Sequence, residues 1–300
     1  MRVNSNMVPD ILADLAQSQN TLNTALQEVS TGKSVTVPSD NPSASADMVQ
    51  NTIESANVDQ YTQNVTSMLS MVQSADSALG NVVSSLTQAI SLGTEAANGT
   101  TNSSNQQSLA QQVQQLLAGV VSQANTQYAG VYIFGGTATS SPPYAADSSS
   151  STGYSYSGNS DTNSVQVGDN LSVQVNLPGS QIFSNSTSSV IGSLSSLVSA
   201  LQSGSSSAIE TATNAVSSAM SYVSQQRVFY GNAETQLNSQ ETYLQNETVS
   251  LTSQQNSLVG VDEAQAATLL SQAETDNSAT LAAAAKVLPT TLLNYLATPS

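Results

Sequence analysis

The groups in this chain that could do chemistry are few and far apart. Asp59 and Asp76 fall in one long apolar-periodic segment, and Glu234, Glu241 and Glu247 fall in another. Two carboxylates held a few ångströms apart can share a proton or hold a hard cation. These are spread over many helical turns, which is the pattern of a solvated helix face. There is no His and no Cys. That removes the commonest general base, the commonest transition-metal ligand, the thiolate nucleophile and any disulfide. Gly135-Gly136-Thr137 lacks the spacing of a phosphate loop, and no Lys follows it. Asn64-Val65-Thr66, Asn185-Ser186-Thr187 and Asn246-Glu247-Thr248 match the glycosylation sequon, but Asn, Ser and Thr are so abundant that chance accounts for them. Tyr132, Tyr144, Tyr154 and Tyr156 are of a type that lines binding faces and equally of a type that fills a small β core. The expectation is a protein that is not an enzyme, with no catalytic, cofactor or metal site.

Charge narrows the partners. Four basic residues stand against twenty acidic ones, for a net charge of −16 over 300 residues. Nucleic acid and anionic membrane surfaces both require the opposite sign. The N-terminus has no apolar core of signal-peptide length, and no run approaches a membrane span. If the chain leaves the cell, the expected route is one without a cleaved signal.

The elements carry the information that the chemistry does not. From Ile209 every seventh residue is apolar: Val216, Val223, Tyr230, Leu237, Leu244, Leu251 and Leu258 follow. A period of seven keeps one seam of a helix against a partner. The half-way positions start as Ala212 and Ala219 and end as Gln240, Glu247 and Gln254, so the seam turns polar along its length. Tyr222, Phe229 and Tyr243 are expected to widen it. A second long helix is expected from Pro42 to about Ala97, with Asn41 as its N-cap and Tyr61, Val65, Met68, Val72, Ala75, Leu79, Val82, Leu86 and Ala89 on its stripe. The two match in length and predict antiparallel partners in one rod.

Shorter helices are expected over about Pro9–Ser30, about Asn105–Tyr128 with Leu109, Val113, Leu116, Val120 and Ala124 inward, from Val190 to Gly204, and from near Asp262, where Pro289 should kink or stop the chain. Between them, 131–184 reads as a small β insertion of two or three hairpins, with Ser-rich 147–152 as a candidate linker. Apolar stripes at the two ends of a chain, where a monomer usually frays, imply burial against something.

Several stretches together resemble the bacterial flagellin superfamily. They are Ser30-Thr31-Gly32-Lys33 with Pro38-Ser39-Asp40-Asn41-Pro42, Ala96-Ala97-Asn98-Gly99-Thr100, and Ala124-Asn125-Thr126-Gln127-Tyr128. The last runs into Gly130-Val131-Tyr132-Ile133-Phe134-Gly135-Gly136-Thr137 and Pro142-Pro143-Tyr144. Tyr156-Ser157-Gly158-Asn159, Val175-Asn176-Leu177-Pro178-Gly179 with Phe183, and Arg227, Gly231, Asn232 and Leu237 on the returning helix bring the likeness closest to the hook-associated protein 3 branch, the hook–filament junction proteins.

The resemblance implies a mainly α fold: a long-helix antiparallel rod or coiled-coil bundle built from both chain ends, with a small β insertion in the middle. It implies a terminal helical assembly domain of residues 1–38 and 261–300, a helical rod of 39–130 and 185–260, and the insertion at 131–184. The implied function is a structural subunit of the flagellum. It would be exported through the flagellar type III apparatus, aided by an export chaperone, and self-associate in a ring between another hook-associated junction protein and flagellin. The expected subunit interface is Ile11, Leu15, Leu22, Leu26, Leu281, Leu288, Leu292, Leu293 and Leu296. A flagellin of the filament and a surface adhesin with a ligand-binding β domain are the other readings.

Overall fold

The computed structural model describes residues 7–98, 102–185 and 188–296, with side chains described between 9 and 286 of these. In chain order the helices are α1 (Met7–Thr31), α2 (Pro42–Ala97) and α3 (Ser103–Ala124). Six short strands follow: β1 (Gln127–Tyr128), β2 (Val131–Tyr132), β3 (Tyr144–Ala146), β4 (Tyr154–Tyr156), β5 (Ser164–Gly168) and β6 (Leu171–Gln174). A helical turn α4 (Gly179–Ile182) leads to α5 (Val190–Ser203), α6 (Ser206–Val259) and α7 (Glu263–Leu296). Consecutive strands pair as three antiparallel hairpins. No described helix is long and apolar enough to cross a membrane. The chain divides into two compact units, one of residues 58–246 and one of 1–57 with 247–300.

In the 58–246 unit the sevenfold columns of α2 and α6 form the core. Val58, Val65, Val72, Leu79 and Leu86 are buried on α2, and Ile209, Val216, Val223, Tyr230, Leu237 and Leu244 on α6. Gly93 continues the α2 column because a Cβ there would fall inside contact distance of Thr213 Oγ1. Asp76 is not a solvated carboxylate. Both its oxygens accept from Arg227, at 2.8 and 2.7 Å, and this bond raises the guanidinium pKa. Glu234 likewise accepts from Gln73 Nε2 at 3.0 Å. Tyr243 does not widen the seam, being 58% exposed.

Helix α3 ends four residues before the expected Tyr128, because Asn125 stops it and clamps the next segment. Its Oδ1 accepts from the Tyr144 backbone N–H at 2.9 Å, and its Nδ2 donates to the Tyr144 carbonyl at 2.8 Å. Leu117, rather than Leu116, is the buried residue of that turn. Gln127 and Tyr128 therefore open the first hairpin, and only Val131 and Tyr132 of the expected strand pair with them. Phe134 goes inward instead, edge-on to Phe183 at 5.3 Å and to Tyr230 at 6.5 Å. Tyr144 joins this cluster from β3, 5.8 Å from Phe183, and burial pushes its phenol pKa up. Gly136 has φ +72°, a conformation open to glycine at little cost. Residues 147–152 are a hydrogen-bonded turn rather than a linker: Asp147 Oδ1 accepts from Ser149, which lowers the carboxyl pKa. The β5–β6 tip is fixed to both long helices, with Asn64 Nδ2 donating to the Gln166 carbonyl at 2.9 Å and Gln240 Nε2 to the Val167 carbonyl at 2.8 Å.

The unit made from the two ends contains α1, α2 up to Asn57, α6 from Glu247, and α7. Gly32, at φ +68°, ends α1. The loop after it meets the α6–α7 junction through Ser34 N–H to the Val259 carbonyl at 2.8 Å and Val261 N–H to the Gly32 carbonyl at 3.1 Å. Asp40 then accepts from the backbone N–H groups of Val37 and Thr36, which lower its carboxyl pKa. Asn41 caps α2 through the Ala44 N–H at 3.1 Å, and Asp262 caps α7 through the Ala264 N–H at 2.9 Å. Helix α7 runs on past Pro289 to Leu296 instead of stopping there.

Candidate assembly interface

Helices α1 and α7 pack on each other. Because α7 begins beside the end of α1, they run antiparallel. On α1 the inward positions are Ile11, Leu15, Ser18, Leu22 and Ala25, in steps of four and three. On α7 they are Ala266, Leu270, Ala273, Asn277, Thr280 and Ala284, with the same steps. The seam is thin: only Ala25, Ala266, Ala273 and Ala284 of these residues are buried outright. It is also polar in the middle, where Ser18 Oγ and Asn277 Oδ1 are buried with no hydrogen-bond partner among the described residues.

Several large apolar side chains of this unit lie outside, although Leu251 and Val259 are buried. Leu12 is 53% exposed, Leu26 45%, Leu269 46% and Leu281 46%. Of the expected interface residues, Ile11, Leu15 and Leu22 are half-buried between α1 and α7, while Leu26 and Leu281 face solvent. Leu288, Leu292, Leu293 and Leu296 belong to α7, but their side chains lie outside the described residues. Sequence reasoning passed over Val49 and Ile53 on α2, which are 61% and 52% exposed. Their signal was available: they stand four apart, out of phase with the inward positions Ala44, Met48, Asn51 and Ser55. The inward Asn51 is 4% exposed and donates from Nδ2 to the Leu251 carbonyl at 3.0 Å. No cluster of potential metal ligands occurs among the described residues.

The stretches that carried the resemblance turn out to be structural joints. Asn125, Phe134, Gly136 and Tyr144 build the insertion's core, and Gly32 with Asp40 and Asn41 shapes the loop between α1 and α2. Comparison with known proteins agrees with that resemblance. Flagellar hook-associated protein 3 of Escherichia coli is 30% identical over 166 residues, which are 55% of this chain and 51% of that protein. The chain spans between half and three-fifths of the length of the curated relatives it matches. A candidate flagellar hook-associated protein from Vibrio parahaemolyticus shares the fold with a TM-score of 0.68 at 19% identity, over 74% of this chain and 100% of that one. The flagellar junction protein FlgL from Legionella pneumophila shares it with a TM-score of 0.60 at 16% identity, over 71% and 100%. Residues 3–139 match the model of the bacterial flagellin N-terminal helical region.

Proposed function

We propose that this chain is a structural subunit of the bacterial flagellum that joins hook to filament. The observation that carries the reading is the inverted distribution of apolar side chains in the unit built from the two ends. Its described buried apolar residues are Ala25, Ala44, Leu251, Val259, Ala266, Ala273 and Ala284, while Leu12, Leu26, Leu269, Leu281, Val49 and Ile53 stand in solvent. Burying a Leu side chain is worth roughly 1.5–3 kcal/mol, so exposing several in one unit is a reserve of stability that a neighbour can collect. Exposed apolar patches of this kind mark interaction surfaces, as an assembling subunit requires. The names of the relatives supply the setting: a hook-associated protein and a flagellar junction protein.

In this reading the end segments, 1–38 and 261–300, are the assembly domain, and Ile11, Leu15, Leu22, Leu26, Leu281, Leu288, Leu292, Leu293 and Leu296 lie between subunits. The chain is exported through the flagellar type III apparatus with the help of a chaperone, without a cleaved signal. It then self-associates at the end of the hook, between another hook-associated junction protein and flagellin. Electron microscopy of detached flagella labelled for this protein is the test. Label confined to the hook–filament boundary is the expected result, and label along the whole filament would identify a filament subunit instead. A chain truncated after Lys286 should keep its thermal midpoint within a few degrees, yet leave cells with hooks that shed flagellin into the medium. A large fall in that midpoint would return the last helix to the subunit's own core.

A further inference from the structure

The two unsatisfied atoms of the α1–α7 seam stand together. One end of this helix pair is fixed by backbone hydrogen bonds, from Val261 N–H to the Gly32 carbonyl and from Ser34 N–H to the Val259 carbonyl. By the rise of an α-helix, Ser18 lies about 21 Å back from Gly32 and Asn277 about 24 Å on from Val261. Since the helices run antiparallel, both residues fall at one level of the seam. Among the described residues, Ser18 Oγ and Asn277 Oδ1 are the two buried side-chain polar atoms left without a hydrogen-bond partner. Each has lost its water and gained nothing in exchange, which weakens the seam at that level. A polar residue at a seam position is a known way to lower the stability of a helix pair.

This layer divides the seam into unequal halves. The near half, toward Gly32, holds Leu22, Ala25, Ala266, Leu270 and Ala273. Ala25, Ala266 and Ala273 are buried outright there, and the backbone joint closes its end. The far half holds Ile11, Leu15, Thr280 and Ala284. Of these only Ala284 is buried outright, Thr280 is polar, and no backbone hydrogen bond crosses between the helices among the described residues. Opening the near half breaks the joint as well as the side-chain contacts. Opening the far half breaks a few contacts only, and it lets water reach Ser18 and Asn277. Local opening follows the path of least lost burial.

We infer that the α1–α7 pair is a fork hinged at the Ser18–Asn277 layer: in the free subunit the far halves part, up to that layer, while the near halves stay paired. The opening belongs to the subunit itself and does not depend on which neighbours it meets. It uncovers Ile11 and Leu15, which the closed seam half covers, and so adds them to the exposed Leu12 and Leu281. The two stranded polar atoms are the device that keeps the far end openable.

Spin-label distances test the fork, because a chain without Cys takes labels at introduced cysteines alone. The full chain is labelled in pairs and diluted with unlabelled chain, so that only distances within one subunit are read by double electron–electron resonance. Ala13→Cys with Ala282→Cys reports on the far halves, and Gln27→Cys with Ala267→Cys on the near halves; all four positions are exposed. The expected result is a narrow distribution for the near pair and a broad one, extending to longer distances, for the far pair. Ser18→Ala with Asn277→Leu makes the layer apolar and should narrow the far distribution to the width of the near one. Both exchanges also favour helix. Ser271→Ala with Asn23→Leu therefore makes the same exchanges at exposed positions, and should leave the far pair broad. Equal widths for the two pairs in the parent, narrow or broad, overturn the fork. So does a far pair that stays broad when the layer is apolar, or one that narrows as much in the exposed-site control.

Discussion

In residues 58–246 the helix seam is buried through large side chains, and in the unit made from the two ends the α1–α7 seam is buried outright only at alanines, with Leu12, Leu26, Leu269 and Leu281 exposed. The α6 column from Ile209 to Leu244 is buried at every step, as are the valines and leucines of the α2 column. The α1–α7 seam is closed by alanines and interrupted by Ser18 and Asn277. Each methyl or methylene buried is worth about 0.8 kcal/mol, so an alanine seam holds far less than a leucine seam of equal length. Helix α1 has 25 residues, and in a protein most of a helix's stability comes from packing its apolar face rather than from propensity. The difference teaches that one part of this chain closes on a seam of large side chains, while the other closes on a seam whose fully buried positions are alanines.

The contrast breaks most visibly when the same insult is placed in both seams. Leu237→Asp puts an unpaired carboxylate into the buried column of α6, at several kcal/mol against a total stability of about 5–15. It should abolish the cooperative transition followed by circular dichroism. Ala273→Asp puts the same group into the α1–α7 seam, and should remove some helical signal while the main midpoint stays within a few degrees. Equal collapse in both variants would mean that the ends share the main core.

A smaller effect is expected at the hinge between long helix and insertion. The Tyr230 hydroxyl accepts the Leu177 N–H at 3.2 Å in a fully buried setting. Tyr230→Phe leaves that N–H unsatisfied and should cost about 1–3 kcal/mol in denaturant titration. Arg227→Leu should cost less, about 1 kcal/mol or below, because the pair with Asp76 is about one-third exposed on each side.

The smallest effect belongs to the loop between α1 and α2. Backbone N–H groups of Val37 and Thr36 stabilise the Asp40 carboxylate, so its folded pKa lies below the ordinary value. The folded state therefore binds this proton less readily than the unfolded state. The stabilisation is present above the unfolded carboxylate pKa of about 3.9 and is lost as pH falls through the lower folded value. Amide exchange at Thr36 and Val37, corrected for intrinsic rates, should lose protection over that window in the parent and show no such step in Asp40→Asn.

Legibility in the sequence followed the same division. Both long helices were readable because strict periods of seven persist over eight turns and more, and because Asn41-Pro42 marks a start that the structure keeps. The β insertion was readable as composition but not in detail. Its hairpins are set by side chains acting across the chain, Asn125 on Tyr144 and Gln240 on Val167, and a local pattern does not encode such partners. Asp76 looked like one more solvated carboxylate, since nothing local pairs it with a residue 151 positions away. At the ends the apolar positions were plain, but periodicity does not say which of two apolar faces is covered. Leu22 is half-buried and Leu26, one turn on, is 45% exposed.

Hydrogen exchange on the full chain, under conditions where it is shown to be monodisperse, tests the central claim most directly. The claim is that the two ends lack a sufficient core of their own. The expected result is slow exchange over residues 61–90 and 209–240, set by global unfolding, with α1 and α7 exchanging orders of magnitude faster. Protection of α1 and α7 equal to that of α6 in the monomer would contradict it.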